Sequence, residues 1–347
     1  MKPLRNLNFA LSNRCNAKCV WCPTSRGTKL AFDMDAELVY KIIDEVSHPD
    51  FPYEIKNIHM SENGEGLYHK SYVDILRYIK KNLPNTEIDM LSNFGLMSKR
   101  MSRVLLEENL LTSIQVNVDG HNDRAYRSVK GISFSSVMKN VKEFLEIKKE
   151  LGVEMFFGIN VMPAFEYSLA VFNAFNKNPI QHPPGESVPF SSFELTQQSV
   201  LDYLGQDLYD ELFTFRHSKP GLWAERERFK TGEFAIDADL KCPLIKRVEE
   251  EMFIAPNGDY YVCCLDDNND KVLGNLKEST VLEIWKSQDR INFVNNLKMQ
   301  RFDKIGYPCN TVGACQTLGI TDNALQRMSD TYKDGDEIVL EETSVVK

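Results

Sequence analysis

Apolar and polar positions alternate with two different spacings along the first 195 residues of the chain. Short β-branched and apolar runs, each bounded by turn residues, predict strands. These strands are expected at about 4–11, 54–60, 86–91, 112–118, 153–161 and 188–195. Apolar residues at helical spacing predict helices between the strands. The helices are expected at about 35–47, 68–82, 98–108, 134–151 and 165–177.

This alternation of strand and helix predicts βα units and a parallel sheet, so the expected fold class is α/β. In the first helix, Leu38, Ile42 and Val46 share one face, and Asp35 stands where an N-cap is expected. Aromatic and charged residues are mixed over 196–241, which indicates a helical bridge. The tail over 321–347 is acidic and weakly patterned.

Charge and composition narrow the function. The chain has 347 residues and a formal net charge of −9, which argues against a nucleic-acid partner because phosphate binding needs clustered Lys and Arg. A basic strip of Arg124, Arg127 and Lys130 is expected to be an anion contact or a solvated face.

No apolar run approaches the ~20 residues that span a bilayer, so we expect a cytoplasmic protein with no membrane partner. The eight cysteines indicate metal ligands in a reducing compartment.

Three of these cysteines, Cys15, Cys19 and Cys22, form a C-x3-C-x2-C motif. Three thiolates on one loop can hold three irons of a [4Fe-4S] cluster, and a cluster held by protein alone needs a fourth ligand. One iron would therefore stay open for another molecule. Half of a zinc site and three core thiols are the alternatives, but no further Cys or His lies between Gly27 and Ser47.

The cluster loop resembles that of the radical S-adenosylmethionine (SAM) superfamily, in the Cys15-Asn16 pair, the aromatic Trp21 and the Cys22-Pro23 pair. The resemblance implies a partial (β/α)6 TIM-like barrel over residues 1–195. It also implies that the open iron binds SAM and that cluster and SAM together generate a 5'-deoxyadenosyl radical. Trp21 would flank the adenine of SAM.

Further segments resemble SAM-binding motifs of this superfamily, and they follow successive predicted strands. Gly64-Glu65 is similar to the Gly-Gly-Glu-Pro segment that receives the methionyl ammonium of SAM, although Asn63 and Gly66 depart from it. The resemblance implies SAM contacts from the ends of the next three strands and from one loop arginine. These implied contacts are Asn93, Asn117, Asp119, Arg127 and Val161.

A second cysteine pattern lies near the C-terminus, where Cys242 and Cys263 flank Gly258 in a C-x15-G-x4-C arrangement. It resembles the hairpin that opens the SPASM or Twitch extension of radical SAM enzymes. With Cys309 and Cys315 the resemblance implies four ligands for one auxiliary [4Fe-4S] cluster, in a small α+β Twitch-like domain over 242–320. Zinc is the alternative occupant, and Cys264 could replace Cys263 as a ligand.

These features together predict a radical SAM oxidoreductase whose auxiliary cluster accepts an electron from the substrate. We expect a small metabolite as substrate, because one auxiliary cluster is encoded and the chain begins at the first strand. Oxidation or cross-linking of a peptide is the alternative. A non-enzymatic metal-binding scaffold is a third hypothesis, against which the open three-cysteine site argues. A flavodoxin- or ferredoxin-like reductant is the expected protein partner.

Overall fold

A parallel β-sheet organises the protein. The computed structural model describes residues 2–19, 22, 24, 31–161, 187–189, 191–217, 242, 244–266, 269–309 and 337–339. Within these ranges six parallel strands neighbour one another in chain order, with β6 left out of the sheet. They are β1 (Asn6–Phe9), β2 (Asn57–His59), β3 (Glu87–Ser92), β4 (Ser113–Asn117), β5 (Phe156–Val161) and β7 (Phe213–His217).

The sheet continues on the other side of β1 into the C-terminal part of the chain. Strand β8 (Glu251–Ile254) runs parallel to β1, with Leu7 opposite Met252. Strands β9 (Asp259–Tyr261) and β10 (Val272–Asn275) follow as antiparallel neighbours. The C-terminal hairpin is therefore an extension of the barrel sheet, which brings it close to the first strand.

Ten α-helices are described, and most of them cover the outside of the sheet. No helix in the described ranges is long and apolar enough to cross a membrane. The helices are α1 (Ala36–Ser47), α2 (Tyr72–Asn82), α3 (Lys99–Glu107), α4 (Asp123–Lys130), α5 (Phe134–Leu151), α6 (Phe193–Leu204), α7 (Ile245–Glu250), α8 (Val281–Trp285), α9 (Gln288–Lys298) and α10 (Phe302–Ile305).

Helix α1 has the N-cap and the buried apolar face that its sequence predicts. The Asp35 side chain accepts a hydrogen bond from the Glu37 backbone N–H at 3.1 Å and so caps the first turn. Leu38, Ile42 and Val46 are all buried against the sheet. The α/β class with a mostly parallel sheet, as in a partial (β/α)6 barrel, is confirmed.

The sixth parallel strand was predicted in the wrong place. Residues 187–189 form a short antiparallel pair with 337–339, labelled β6 and β11. Ser192 then caps helix α6 by accepting from the Leu195 N–H at 3.0 Å, which removes the rest of the predicted strand. The sixth strand is β7, and it lies inside the segment predicted as a helical bridge. This strand was not predicted because its aromatic and charged residues are mixed. Only Phe213 and Phe215 show the alternation of apolar residues that indicates a strand.

One described helix was not predicted, and one predicted helix is not tested. Helix α4 was missed, because its eight residues carry mainly polar side chains. The helix predicted at 165–177 and the acidic tail over 321–347, apart from 337–339, lie outside the described residues. The division into domains at 195, 241 and 320 stays a prediction.

The interior of the barrel is polar. Parallel barrels usually fill their interior with branched apolar side chains. In this barrel the positions of β1 to β5 and β7 that line the interior cavity are mostly amides and charged groups: Asn6, Asn8, Asn57, His59, Asp89, Gln115, Asn117, Asn160 and Arg216. The apolar core lies on the other side of the sheet, between strands and helices. The barrel interior is therefore a place for a polar ligand.

Candidate active site

A cavity of about 560 Å³ occupies the barrel interior and its C-terminal rim. The thiols of Cys15, Cys19 and Cys22 lie on its wall. Gly64 and Glu65 from the loop after β2 share the cavity with them, as does Cys264 from the C-terminal part of the chain. This volume is within the range of small-molecule sites. The three cysteines of the first motif thus face a shared space that can hold ligands.

The cluster loop is held in place by a pair of asparagines. Asn93 Nδ2 donates to Asn16 Oδ1 at 2.9 Å and lies 3.5 Å from the Sγ of Cys15. Asn93 Oδ1 also accepts from the Gly95 N–H at 2.8 Å, which fixes the turn after β3. On the other side of the loop, the Lys18 N–H donates to the Lys130 carbonyl at 2.7 Å. Asn93 therefore lies at the site, where it supports the loop that carries the thiols.

The thiols suit an iron–sulfur cluster better than they suit free cysteines. Burial raises the pKa of Cys15 to about 11, with a contribution from Glu65, and burial raises the pKa of Cys19 further, against the effect of Lys130. Thiolates in such a place need a bound metal group to stabilise them. No three acidic, His or Cys side chains of the described residues surround a single-ion site. Each thiolate of a [4Fe-4S] cluster ligates its own iron, so its cysteines lie around the cluster.

The loop after β2 packs directly on the cluster loop. Gly64 has a φ of +139°, and a Cβ at this residue would lie 1.9 Å from the carbonyl oxygen of Ser12. The next N–H, of Glu65, donates to the Arg14 carbonyl at 2.9 Å. Only glycine permits both the backbone conformation and this approach.

The carboxylate of Glu65 is already engaged in the structure. It accepts hydrogen bonds from Ser92 Oγ at 2.9 Å, from the Asn93 N–H at 2.9 Å and from the Leu67 N–H at 3.3 Å. Burial raises the pKa of Glu65, and these hydrogen bonds oppose that rise. The side chain joins the loops after β2 and β3, a role that the resemblance did not predict. An ammonium contact from Glu65 stays a prediction.

Strand β4 ends in an ion pair that the sequence did not predict. Lys130 Nζ lies 2.8 Å from Asp119 Oδ2, and both side chains are almost completely buried. Lys130 also donates to the Asn117 carbonyl at 3.0 Å. Burial alone would lower the pKa of Lys130, but Asp119, Tyr126 and Cys19 together outweigh it and hold that pKa well above its usual value. The expectation of a solvated face is wrong for Lys130, because its side chain is buried against Asp119.

Replacing Lys130 with methionine is expected to lower the free energy of unfolding by about 3–5 kcal/mol, because Asp119 would keep a buried charge without its partner. Urea unfolding measures this loss. Adding Asp119→Asn should restore part of it, and the exposed Lys139→Met should change little. Equal stability of the Lys130→Met and Lys139→Met variants would contradict the structural role of this pair.

The remaining predicted SAM contacts do not all lie at the cavity. Asn117 and Asp119 line the cavity. Arg127 does not line it; its side chain is 60% exposed on α4 and reaches Asp123 at 3.9 Å. Val161 is buried at the end of β5, opposite His217. Trp21 lies outside the described residues.

One side of the cavity is lined by polar residues that were not predicted from the sequence. Polar side chains from β1, β2, β3, α7, β8 and the loop after β2 meet there. We call this set the acidic subsite, and it consists of Asn8, His59, Glu62, Asp89, Arg247 and Glu251. The available signal was the polar residues at alternate positions of β1 and β2, strands that a filled barrel would make apolar throughout.

The C-terminal cysteines border a separate apolar core. Cys263 is buried in it, and Cys242 and Cys309 pack against it. Cys264 also touches this core, but it lines the main cavity, where its Sγ accepts a hydrogen bond from Arg247 Nη1 at 3.1 Å. Burial raises the pKa of Cys264 to about 12. Cys315 lies outside the described residues.

Comparisons with known proteins agree with both cysteine motifs. The family model described as the Radical SAM superfamily matches residues 9–166, and the SPASM model, an iron-sulfur cluster-binding domain, matches residues 242–316. A tungsten-containing aldehyde ferredoxin oxidoreductase cofactor-modifying protein of Pyrococcus furiosus is 27% identical over 165 residues, which are 44% of this chain and 43% of that protein. The aligned stretch spans less than half the length of the curated relatives matched.

Two solved structures share the fold over most of their length. The structure of anSMEcpe with bound AdoMet has a TM-score of 0.53 at 16% identity and covers 94% of this chain and 97% of its own. The structure of BtrN in complex with AdoMet and 2-DOIA has a TM-score of 0.50 at 17% identity and covers 87% of this chain and 90% of its own. At these identities the likeness is one of fold.

The two matched families together account for about two thirds of the chain. They imply a SAM-binding [4Fe-4S] cluster, SAM itself and auxiliary iron–sulfur binding, in agreement with the thiols on the cavity wall. The chain belongs to the radical SAM superfamily and carries a C-terminal SPASM iron–sulfur domain.

Proposed function

We propose that the protein is a radical SAM oxidoreductase that oxidises a small polar metabolite. One observation carries the proposal: the cluster-loop thiols and Cys264 of the iron–sulfur domain line the same cavity. A substrate in that cavity would lie between the cluster loop and the iron–sulfur domain. It could then lose a hydrogen atom on one side and an electron on the other.

Cys15, Cys19 and Cys22 would hold the first cluster. When bound, this cluster supplies the electron that splits SAM into methionine and the 5'-deoxyadenosyl radical, which takes a hydrogen atom from the substrate. Asn93 orients the loop beside Cys15, and Asn117 and Asp119 offer polar groups to SAM from the end of β4. A flavodoxin- or ferredoxin-like protein would serve as the reductant.

Cys242, Cys263, Cys309 and Cys315 would hold one auxiliary [4Fe-4S] cluster. Cys263 is supported as the ligand over Cys264 because it is buried in the core that Cys242 and Cys309 pack against, whereas Cys264 also lines the main cavity. Arg247 connects the two regions, because its guanidinium donates to Cys264 and pairs with Glu251 at 2.9 Å on the cavity side. We propose that a cluster held by these four cysteines would accept, across that boundary, the electron that the substrate radical gives up after hydrogen abstraction, while a proton leaves the substrate and completes its two-electron oxidation.

The size and lining of the cavity favour a small substrate. The first cluster, SAM and the substrate would share about 560 Å³, and the inner wall is made mostly of amides and charged groups. Such a lining binds hydroxyl and amino groups, since every buried polar group needs a partner.

Replacing Cys309 with alanine is expected to separate the two clusters. Anaerobically reconstituted wild-type protein should hold about eight irons, and the variant about four, because each [4Fe-4S] cluster contributes four. The variant should still release 5'-deoxyadenosine from SAM under dithionite. With the substrate present it should fail to form the oxidised product, since the electron would have no acceptor.

Wild-type protein with about four irons, and with zinc in its C-terminal part, would contradict the auxiliary cluster. Product formation at the wild-type rate in a folded Cys309→Ala variant would leave that cluster a structural role only. Circular dichroism and SAM binding verify that the variant is folded.

A further inference from the structure

Glu62 is a buried carboxylate that its surroundings leave without a hydrogen bond. The residue is 9% exposed and lines the cavity. Among the described residues no donor reaches its carboxylate oxygens, and the nearest cation is Arg247 Nη2 at 4.0 Å. A carboxylate buried to this degree ordinarily has two or more donors. The free oxygens of Glu62 therefore point to a ligand group that donates hydrogen bonds.

The other charges of the acidic subsite are committed to one another. His59 Nδ1 is hydrogen-bonded to Asp89 Oδ1. Arg247 Nε donates to Glu251 Oε2 at 3.0 Å, and the same carboxylate accepts from Asn8 Nδ2 at 3.2 Å. These two pairs leave Glu62 as the carboxylate of the subsite that accepts no hydrogen bond from the described residues and has only the distant Arg247, at 4.0 Å, as an ion-pair partner.

The charge of the subsite indicates what the ligand carries. Asp89, Glu62 and Glu251 contribute three negative charges, and Arg247 contributes one positive charge. With His59 protonated the subsite keeps a net charge of −1, and with His59 neutral it keeps −2. Burial raises the pKa of Glu62, against the opposing effects of His59 and Arg247. A ligand cation would remove this penalty, because it would neutralise the charge and supply the missing donors.

We propose that Glu62 binds an ammonium group of the substrate, so that the enzyme acts on small cationic metabolites such as amino alcohols or amino sugars. This inference rests on the proposed function, because it assigns the substrate of the same cavity. Glu62 precedes Gly64 by two residues, so the substrate's ammonium would lie next to the loop that contacts the cluster loop. The amine would then position a neighbouring C–H bond in the barrel interior.

Binding measurements on the anaerobic, cluster-loaded protein with SAM and without reductant test the inference. The probes are ethanolamine, serinol and glucosamine, each compared by calorimetry with its neutral partner, ethylene glycol, glycerol or glucose. We expect at least one amine to bind about tenfold or more tightly than its partner, from one charge-assisted hydrogen bond. Glu62→Gln should remove that preference, and Glu62→Asp should keep part of it.

Glu54→Gln is the matched control. Glu54 lies in the segment before β2, is exposed and pairs with Lys56. This variant should keep the full amine preference. The inference is overturned if no amine exceeds its neutral partner, if lactate binds better than the amines, or if the preference survives in Glu62→Gln. SAM cleavage by the wild-type protein is measured separately: its absence would overturn the proposed function, and an amine preference that depends on Glu62 would still stand.

Discussion

Replacing Gly64 with alanine is expected to remove most of the iron of the first cluster. The added methyl group would lie 1.9 Å from the Ser12 carbonyl oxygen, far inside van der Waals contact, so one of the two loops must move. Ser12 is three residues from Cys15, and its hydroxyl is hydrogen-bonded to Asp33 at 2.7 Å. The thiols would therefore lose their alignment. Iron analysis after anaerobic reconstitution should fall from about eight to about four.

Gly152 provides the matched control for Gly64. It also has a positive φ, +63°, but no atom lies within 4 Å of the position of an added Cβ. Gly152→Ala should therefore show the conformational penalty alone, about 1 kcal/mol in the free energy of unfolding, with full iron content. If Gly64→Ala keeps its iron as Gly152→Ala does, the close packing of the two loops does not control the cluster site.

Replacing Cys19 with alanine is expected to abolish the first cluster's function. In the proposed site only three thiols would hold that cluster, so the loss of one would leave two irons without a protein ligand. Cys19 lies between the other two cysteines on the loop, and burial raises its pKa more than that of Cys15. SAM binding to the loaded protein should disappear, while the iron of the C-terminal cluster stays. Unchanged SAM affinity in the variant would show that the loop does not bind SAM through iron.

The sequence predicted those strands and helices whose apolar residues recur with the period of the element that they form. Strands β1 to β5 were found because apolar runs bounded by turns produce strands regardless of what they pack against. Strand β7 was missed because Phe213 and Phe215 sit among charged residues that resemble a helical linker. The run near 188–195 was misread because its apolar residues precede the cap at Ser192, and a helix begins there.

The cluster loop could be predicted from the sequence, whereas the acidic subsite could not. Cys15, Cys19 and Cys22 lie within eight residues, so their spacing alone carries the chemistry. His59, Glu62 and Arg247 come from three segments of the chain, and their convergence depends on β8 pairing beside β1. Nothing in the local pattern of α7 indicates that Arg247 faces the barrel. Lys130 was misjudged for a related reason, since burial by the cluster loop is not visible in a short helix.

SAM cleavage is the measurement that tests the central claim most directly. Anaerobically reconstituted wild-type protein, incubated with SAM and dithionite and without substrate, should release 5'-deoxyadenosine and methionine in equal amounts at a slow rate. The Cys19→Ala variant should release none under the same conditions. Absence of 5'-deoxyadenosine from the iron-loaded wild-type protein, or its formation by Cys19→Ala, would contradict the assignment of this cavity as a SAM-cleaving site.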